Sequence, residues 1–256
     1  MTNDLAQSII ATANQRNVYF LWSGGNDSNF LLRTILKYDI NSVCKLKVVT
    51  IPFPQHVYSP EKMRDNVNFF ADLNIDFQAL NTEEQINDSV PYSKACLFCK
   101  TIRRARFLEY YEPLQKKDDL IITGHNLSDL MSYYAELCIF QLDKTSVSRE
   151  ERFLEVTNKF LRIYRTEFET DIFRPLIDMS NVSIQRQLDC VTEEDSIEIT
   201  TQKCYWADQR KRLLQEYFTK ANILSDFETV KRLLEVNFSM PSIEEFRKLP
   251  FDTYLV

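Results

Sequence analysis

A chain of 256 residues with only three glycines places two of them side by side in VYFLWSGGNDS (18–28), straight after an apolar run. Average usage is about 7%, so glycine is otherwise avoided. A pair in this position marks backbone that must turn sharply or come close to a ligand. The third glycine, Gly124 in ITGHNLSD, follows a short apolar run in the same way. Two loops of this kind, each between a strand and a helix, constrain the fold more than any other feature. They are read here as one site.

Helical and strand signals alternate through the first 180 residues. VYFLW (18–22) reads as a strand, and FLLRTILKY after the glycine pair reads as a helix. KLKVVTIPF (45–53) is a second strand, closed by Pro52 and Pro54. SPEKMRDNVNFFADLN (59–74) opens with a serine cap, a first-turn proline and an acidic residue, a strong helix start. IDFQAL (75–80) is a third strand, 97–112 a helix and DLIITG (119–124) a fourth strand. Leu127, Leu130, Met131, Tyr134, Leu137 and Cys138 then recur at helical spacing. FRPLID (173–178) is expected as a fifth strand. Residues 141–170 read as a charged helical insertion on one edge. From 205 the chain reads helical, with Leu213, Leu214, Tyr217 and Phe218 on one apolar face. This alternation predicts an α/β fold, a doubly wound parallel sheet with helices on both faces. The expected division is a main domain over 1–220 and a small helical tail over 221–256.

At 44% hydrophobic residues, the chain can bury a sizeable core. The N-terminal stretch lacks the layout of a signal peptide, and no run of about 18 apolar residues is present. A cytoplasmic protein without a membrane partner is expected. A net charge of −6 argues against a broadly basic nucleic-acid surface while leaving room for a local patch.

In open α/β sheets, ligands bind beyond the carboxyl ends of strands where strand order reverses. SGGNDS and TGHNLSD both sit at such ends. In the first loop, the glycines turn backbone N–H groups inward and Asp27 and Ser28 lie at a helix start, a place that binds phosphate or sulfate. The spacing matches neither G-x-G-x-x-G nor the Walker pattern G-x-x-x-x-G-K-[ST]. A second motif, CLFCKTIRRARF (96–107), carries Cys96 and Cys99 as C-x-x-C, which can hold a metal, serve redox chemistry or sit in a core. Zinc takes four Cys/His ligands, and only His56 and His125 are available as histidines. Three thiolates can hold an iron–sulfur cluster with one iron open, and Cys204 in TQKCYWADQ is the candidate third. Cys44, Cys138 and Cys190 read as structural, and His56 as a loop residue. Lys100, Arg103 and Arg104 share one helical face, either solvated or placed to meet a phosphate or substrate.

SGGxDS after the first strand resembles the PP-loop family, ATP pyrophosphatases of the adenine nucleotide alpha hydrolase-like, HUP-type fold. The order of the other motifs resembles the iron–sulfur tRNA 2-thiocytidine and 2-thiouridine synthetases within it. Those motifs are C-x-x-C with the basic pair Arg103 and Arg104, TGHNLSD (123–129), RPLID (174–178) and Cys204. The resemblance covers roughly 18–218. The chain departs from it at Asn26, where the subgroup often has lysine, and at Ser128, where it often has a first aspartate. With 17 residues before the first strand, the N-terminal zinc module of some 2-thiouridine enzymes is not expected here.

The resemblance implies an ATP-dependent sulfurtransferase that forms AMP and pyrophosphate. Such an enzyme adenylates a nucleobase carbonyl, so that sulfur can displace AMP from the carbon. Its implied cofactors are ATP, Mg²⁺ and a [4Fe-4S] cluster on Cys96, Cys99 and Cys204. Ser23, Gly24, Gly25, Asp27, Ser28, Gly124 and His125 would hold the nucleotide, with backbone near Thr50 and Ile51 reading adenine. Asp129 would act as general base or position Mg²⁺ and substrate, with Asp27 supporting the loop. Lys100, Arg103 and Arg104 would meet the acceptor, which is tRNA or else a free nucleobase or nucleotide. A cysteine desulfurase or sulfide would donate sulfur, and a homodimer is compatible with the sequence. The competing reading within the fold is a C–N ligase, which has no need of the three cysteines.

Overall fold

The computed structural model describes residues 2–84, 95–134, 161–166 and 169–189, together with 204, 213, 216, 217 and 220. Leu137, Cys138, Cys190, residues 141–160 and the tail over 221–256 lie outside the described residues.

Along the chain the elements are α1 (Thr2–Ala13), β1 (Asn17–Leu21), α2 (Asn26–Lys37), β2 (Lys45–Thr50), α3 (Pro60–Asp72), β3 (Asp76–Ala79) and α4 (Ala95–Tyr111). There follow β4 (Leu120–Thr123), α5 (Leu127–Tyr134), β5 (Ile163–Arg165), β6 (Asp171–Phe173) and α6 (Asn181–Leu188). Local chemistry sets several of these boundaries. Ser59 caps α3 by accepting from the Lys62 amide at 3.2 Å, with Pro60 at the first helical position. Ser180 caps α6 in the same way through the Ser183 amide at 3.3 Å.

One six-stranded sheet has the order β3-β2-β1-β4-β6-β5, parallel except for the edge pair β5–β6. The chain runs outward from β1 through β2 to β3, then returns to β4 on the other side of β1. The winding direction therefore reverses between β1 and β4, and a crevice opens beyond their carboxyl ends.

Alternation along the central strands feeds two cores. Val18, Phe20, Trp22, Leu46, Val48, Leu120 and Ile122 point to one face, where Leu5, Ile9, Leu31, Phe70 and Ile184 cover them. Tyr19, Val49, Ile51 and Ile121 point to the other face, against Phe107 and Tyr111 of α4. Burial on both sides explains why β1 and β4 read as continuous apolar runs.

Three sequence expectations are corrected here. FRPLID is not a strand beyond Phe173: Pro175 has no N–H for a ladder, and the chain turns. The Ile177 amide donates to Arg174 O at 3.3 Å and the Met179 amide to Leu176 O at 2.9 Å. The end of the 141–170 segment, read as helix, instead forms β5, which pairs antiparallel with β6. Arg165 there bridges Asp118 at 2.7 Å and Asp171 at 3.1 Å, so its charge serves strand-end ion pairs. Of the apolar face expected after 205, Leu213 and Tyr217 are exposed. An element not anticipated is α1, which buries Leu5, Ala6, Ile9 and Ala13 along one stripe.

Candidate active site

The crevice between β1 and β4 is a cleft of about 510 Å³, within the range that holds small-molecule ligands. From β1 and its loop come Leu21, Trp22, Ser23, Gly25, Asp27 and Ser28; from β4 and its loop come Thr123, Gly124, His125 and Asp129. Val49 and Ile51 form apolar wall from β2, and Lys100, Arg103, Arg104 and Phe107 enter from α4. Three cations thus face two carboxylates, a local positive excess in an acidic chain.

The three glycines serve different ends. Gly24 sits at φ 74°, a left-handed conformation that L side chains rarely adopt. A Cβ on Gly124 would stand 3.3 Å from the Ser28 amide nitrogen, so glycine lets the β4 loop press against the first turn of α2. A Cβ on Gly25 would meet only Ser23 Oγ at 3.5 Å, an ordinary contact. Gly25 is also the N-cap of α2, with no side-chain cap hydrogen bond. This is the amide geometry that suits an anion at a helix start.

Side chains lock the loop from within. Ser28 Oγ donates to Gly25 O at 3.0 Å, lies 3.1 Å from Ser23 Oγ and accepts from the Ser23 amide at 3.3 Å. Asn29 accepts from the Trp22 indole at 2.7 Å and donates to Gly24 O at 3.1 Å. Asn26, where the resemblance suggests lysine, instead reaches α6 and donates to Gln185 Oε1 at 2.8 Å.

The opposite loop is equally tied. The Asp129 amide donates to Asn126 Oδ1 at 3.0 Å, and Asn126 Nδ2 donates to Asn181 Oδ1 at 2.6 Å. Ser128 is fully buried, and its hydroxyl accepts from the Asn181 amide at 3.1 Å. The departure from a first aspartate is therefore spent on joining α5 to α6. His125 Nδ1 lies 2.9 Å from Thr123 Oγ1.

Gly24 and Thr50 are buried and do not line the cleft. Thr50 is buried, and its hydroxyl has no hydrogen-bond partner among the described residues, a costly arrangement for a polar group. Trp22, Val49 and Phe107 were not singled out in the sequence. Phe107 falls one turn after Arg103 on the same face of α4, which is the signal that could have found it.

The cysteines lie off this cleft. Cys96, Cys99 and Cys204 form no disulfide among the described residues, and each is half-buried. The Cys99 thiol donates to Phe53 O at 3.7 Å. Burial pushes the Cys99 thiol up, as do the charges of Cys204 and Cys96, while Arg103 and Lys100 pull it back. The chain thus brings Cys204 and Cys96 within electrostatic reach of Cys99, and Arg103, which lines the cleft, acts on Cys99 as well. Among the described residues, no three His, Cys, Asp or Glu side chains draw tightly enough together to hold a single metal ion. The donor set of three cysteine sulfurs has the soft chemistry that an iron–sulfur cluster takes. No helix among the described residues is long and apolar enough to cross a membrane.

No protein-family model matches the sequence, and no curated protein matches it. Solved structures do. The chain is similar to the U34-tRNA thiolase NcsA from Methanococcus maripaludis with its [4Fe-4S] cluster, at TM-score 0.65 and 17% identity, over 91% of this chain and 78% of that one. It is also similar to phosphoadenylyl-sulfate reductase from Candida auris, at TM-score 0.43 and 12% identity, over 77% and 81%. A third structure is the NH3-dependent NAD synthetase from Campylobacter jejuni, at TM-score 0.45 and 17% identity, over 94% and 96%. The thiolase likeness is one of fold: this chain shares with it a mixed α/β architecture around a mostly parallel sheet.

Proposed function

We propose that this chain is an ATP-dependent, AMP-forming sulfurtransferase that replaces a nucleobase carbonyl oxygen by sulfur, with tRNA as acceptor. The observation that carries the reading is the double use of α4. One turn of this helix places Lys100, Arg103 and Arg104 in the cleft with the SGGNDS loop, while its start supplies Cys96 and Cys99.

A carbonyl oxygen is a poor leaving group, and its transfer to the α-phosphate of ATP turns it into part of AMP. In this chain the amides at Gly25 and the first turn of α2 would hold the polyphosphate, with Arg103 and Arg104 balancing its charge. The apolar wall of Val49, Ile51 and Phe107 suits a base. Asp27 and Asp129 line the same cleft, and one or two carboxylates with substrate phosphates are the usual Mg²⁺ setting. Asp129 would take the proton released as sulfur attacks. Cys96, Cys99 and Cys204 would hold the [4Fe-4S] cluster, which when bound supplies an open iron to carry sulfide. The basic side chains of α4 suit an RNA phosphate, and the tRNA thiolase likeness agrees with tRNA over a free nucleotide.

The test is anaerobic reconstitution followed by incubation with ATP, Mg²⁺, sulfide and bulk tRNA. AMP, pyrophosphate and a 2-thiopyrimidine in digested tRNA are expected. Asp27→Ala and Gly25→Val should abolish turnover and keep the iron, whereas Cys99→Ala or Cys204→Ala should lose iron and acid-labile sulfide. ADP and orthophosphate as products would sink the mechanism. Full turnover by an iron-free chain using ammonia would favour a C–N ligase.

A further inference from the structure

The segment between β2 and α3 touches both halves of the machinery. At one end the Phe53 carbonyl accepts the Cys99 thiol, and at the other the Tyr58 hydroxyl donates to Ser23 O at 3.3 Å. Phe53 is fully buried and Tyr58 is 9% exposed, so neither end is a surface loop free to drift. Between them the Val57 amide donates to Pro54 O and the Tyr58 amide to Gln55 O, each at 3.1 Å, making a tight 3₁₀ turn at Gln55–Val57. Ser59 then caps α3 immediately afterwards. A segment so stiffened transmits displacement at one end to the other.

Ser23 is the first residue of the loop, gripped from inside by Ser28. Tyr58 holds it from outside, through its carbonyl. At 3.3 Å that bond is longer than a relaxed O–H···O bond, so it has room to tighten when the loop fills. Nothing in the SGGNDS motif signals this partner, which stands 35 residues further on.

We propose that Tyr58 is a positioning residue for the phosphate-binding loop, and that through residues 53–58 it makes the loop's hold on a polyphosphate depend on what Cys99 is bonded to. The inference rests on the reading that SGGNDS binds polyphosphate and that Cys99 is a cluster ligand. By linkage the effect is reciprocal: filling the loop changes the hold of the thiols by the same factor.

The test is pyrophosphate binding to the full chain by calorimetry, for the wild type and Tyr58→Phe. Each is measured iron-free and after anaerobic reconstitution with iron and sulfide. Tyr58→Phe keeps the buried ring and loses only the hydroxyl, so it should stay folded and melt within about 4 °C of the wild type. Iron-free, it should bind pyrophosphate about fivefold more weakly, the size of one neutral hydrogen bond. Reconstitution should change the wild-type affinity by a factor of about 3 or more, on the scale of ordinary coupling between sites, and leave that of Tyr58→Phe nearly unchanged. A merely structural tyrosine would not move this dependence on loading. Equal iron-free affinities would overturn the positioning role, and equal responses to reconstitution would overturn the coupling. A wild type that binds pyrophosphate yet takes up no iron would remove the cluster assignment and the coupling, with the iron-free pair still judging Tyr58. A wild type that binds no pyrophosphate would remove the loop reading itself.

Discussion

Asn126 and Asp129 cap one another: the Asp129 amide donates to Asn126 Oδ1 at 3.0 Å, and the Asn126 amide donates back to Asp129 Oδ2 at 3.5 Å. This is a capping box at the start of α5, and it gives the candidate catalytic carboxylate a structural duty as well. The two duties separate by substitution. Asp129→Asn keeps an acceptor for the Asn126 amide, so its stability should stay within about 0.5 kcal/mol of wild type. Its turnover should fall by a factor of about 100 or more, the usual contribution of a general base. Asp129→Ala should lose about 1 kcal/mol as well. Denaturant melts beside single-turnover rates check this, and an active Asp129→Asn would exclude the proton-accepting role.

Ser128 ties α5 to α6 through the Asn181 amide. Ser128→Ala leaves that amide without its acceptor in a partly buried place, which costs about 1 kcal/mol. Urea unfolding should show the loss, with pyrophosphate affinity little changed because the side chain is turned away from solvent. A large fall in affinity without a change in stability would contradict the assignment.

Gly124→Ala brings a methyl group to 3.3 Å from the Ser28 amide nitrogen and 3.5 Å from its Cα. Both are helix backbone, which cannot swing aside as a side-chain tip can. The expected cost is about 1–3 kcal/mol, typical of overpacking, together with weaker pyrophosphate binding as α2 is pushed off the β4 loop. Calorimetry and thermal melting read the two effects. Wild-type behaviour in both would show the loops to be less closely packed than described.

Cys44 is held in its thiol form, because burial pushes its pKa up from 9.0 to about 11. A group whose folded pKa lies above its unfolded one stabilises the fold fully below the unfolded value. That contribution is lost as pH rises from 9.0 through about 11. Near pH 8.5, about a quarter of a thiol of pKa 9.0 is ionised, against under about 1% for Cys44 at about 11. Alkylation followed by peptide mass mapping should find Cys44 the slower by a factor of about 50 or more against an exposed thiol. Cys44→Ala should flatten the loss of stability above pH 9.0. Rapid labelling of native Cys44 at pH 8.5 would contradict its burial.

Much of the fold is legible along the chain because its signals are local. The Ser59–Pro60 cap, the apolar runs of β1 and β4 and the helical spacing after Leu127 each need only a few neighbours to be recognised. The Leu5, Ala6, Ile9 and Ala13 stripe of α1 was equally present but sat in a polar stretch with no strong cap, so it passed unread. RPLI looked like a strand because buried apolar residues in a turn have the composition of a strand. Leu176 and Ile177 are buried there, but only the pairing of neighbours tells the two apart. The edge strand Ile163–Arg165 was hidden for the converse reason, since charged residues on an edge carry little alternation to read.

What the sequence determined alone was the set of parts: strand–helix alternation, two glycine loops, a C-x-x-C helix with a basic face, and a single aspartate beside Gly124. What only the tertiary structure decided was which parts meet. The order β3-β2-β1-β4 lays β4 beside β1, so Gly124 packs on the Ser28 backbone. Folding likewise brings Cys204 into the field of Cys99, and Tyr58 onto Ser23. Periodicity and capping are written in neighbours a few residues apart, whereas lateral strand pairing and helix docking are settled by the total burial that one arrangement achieves over all others.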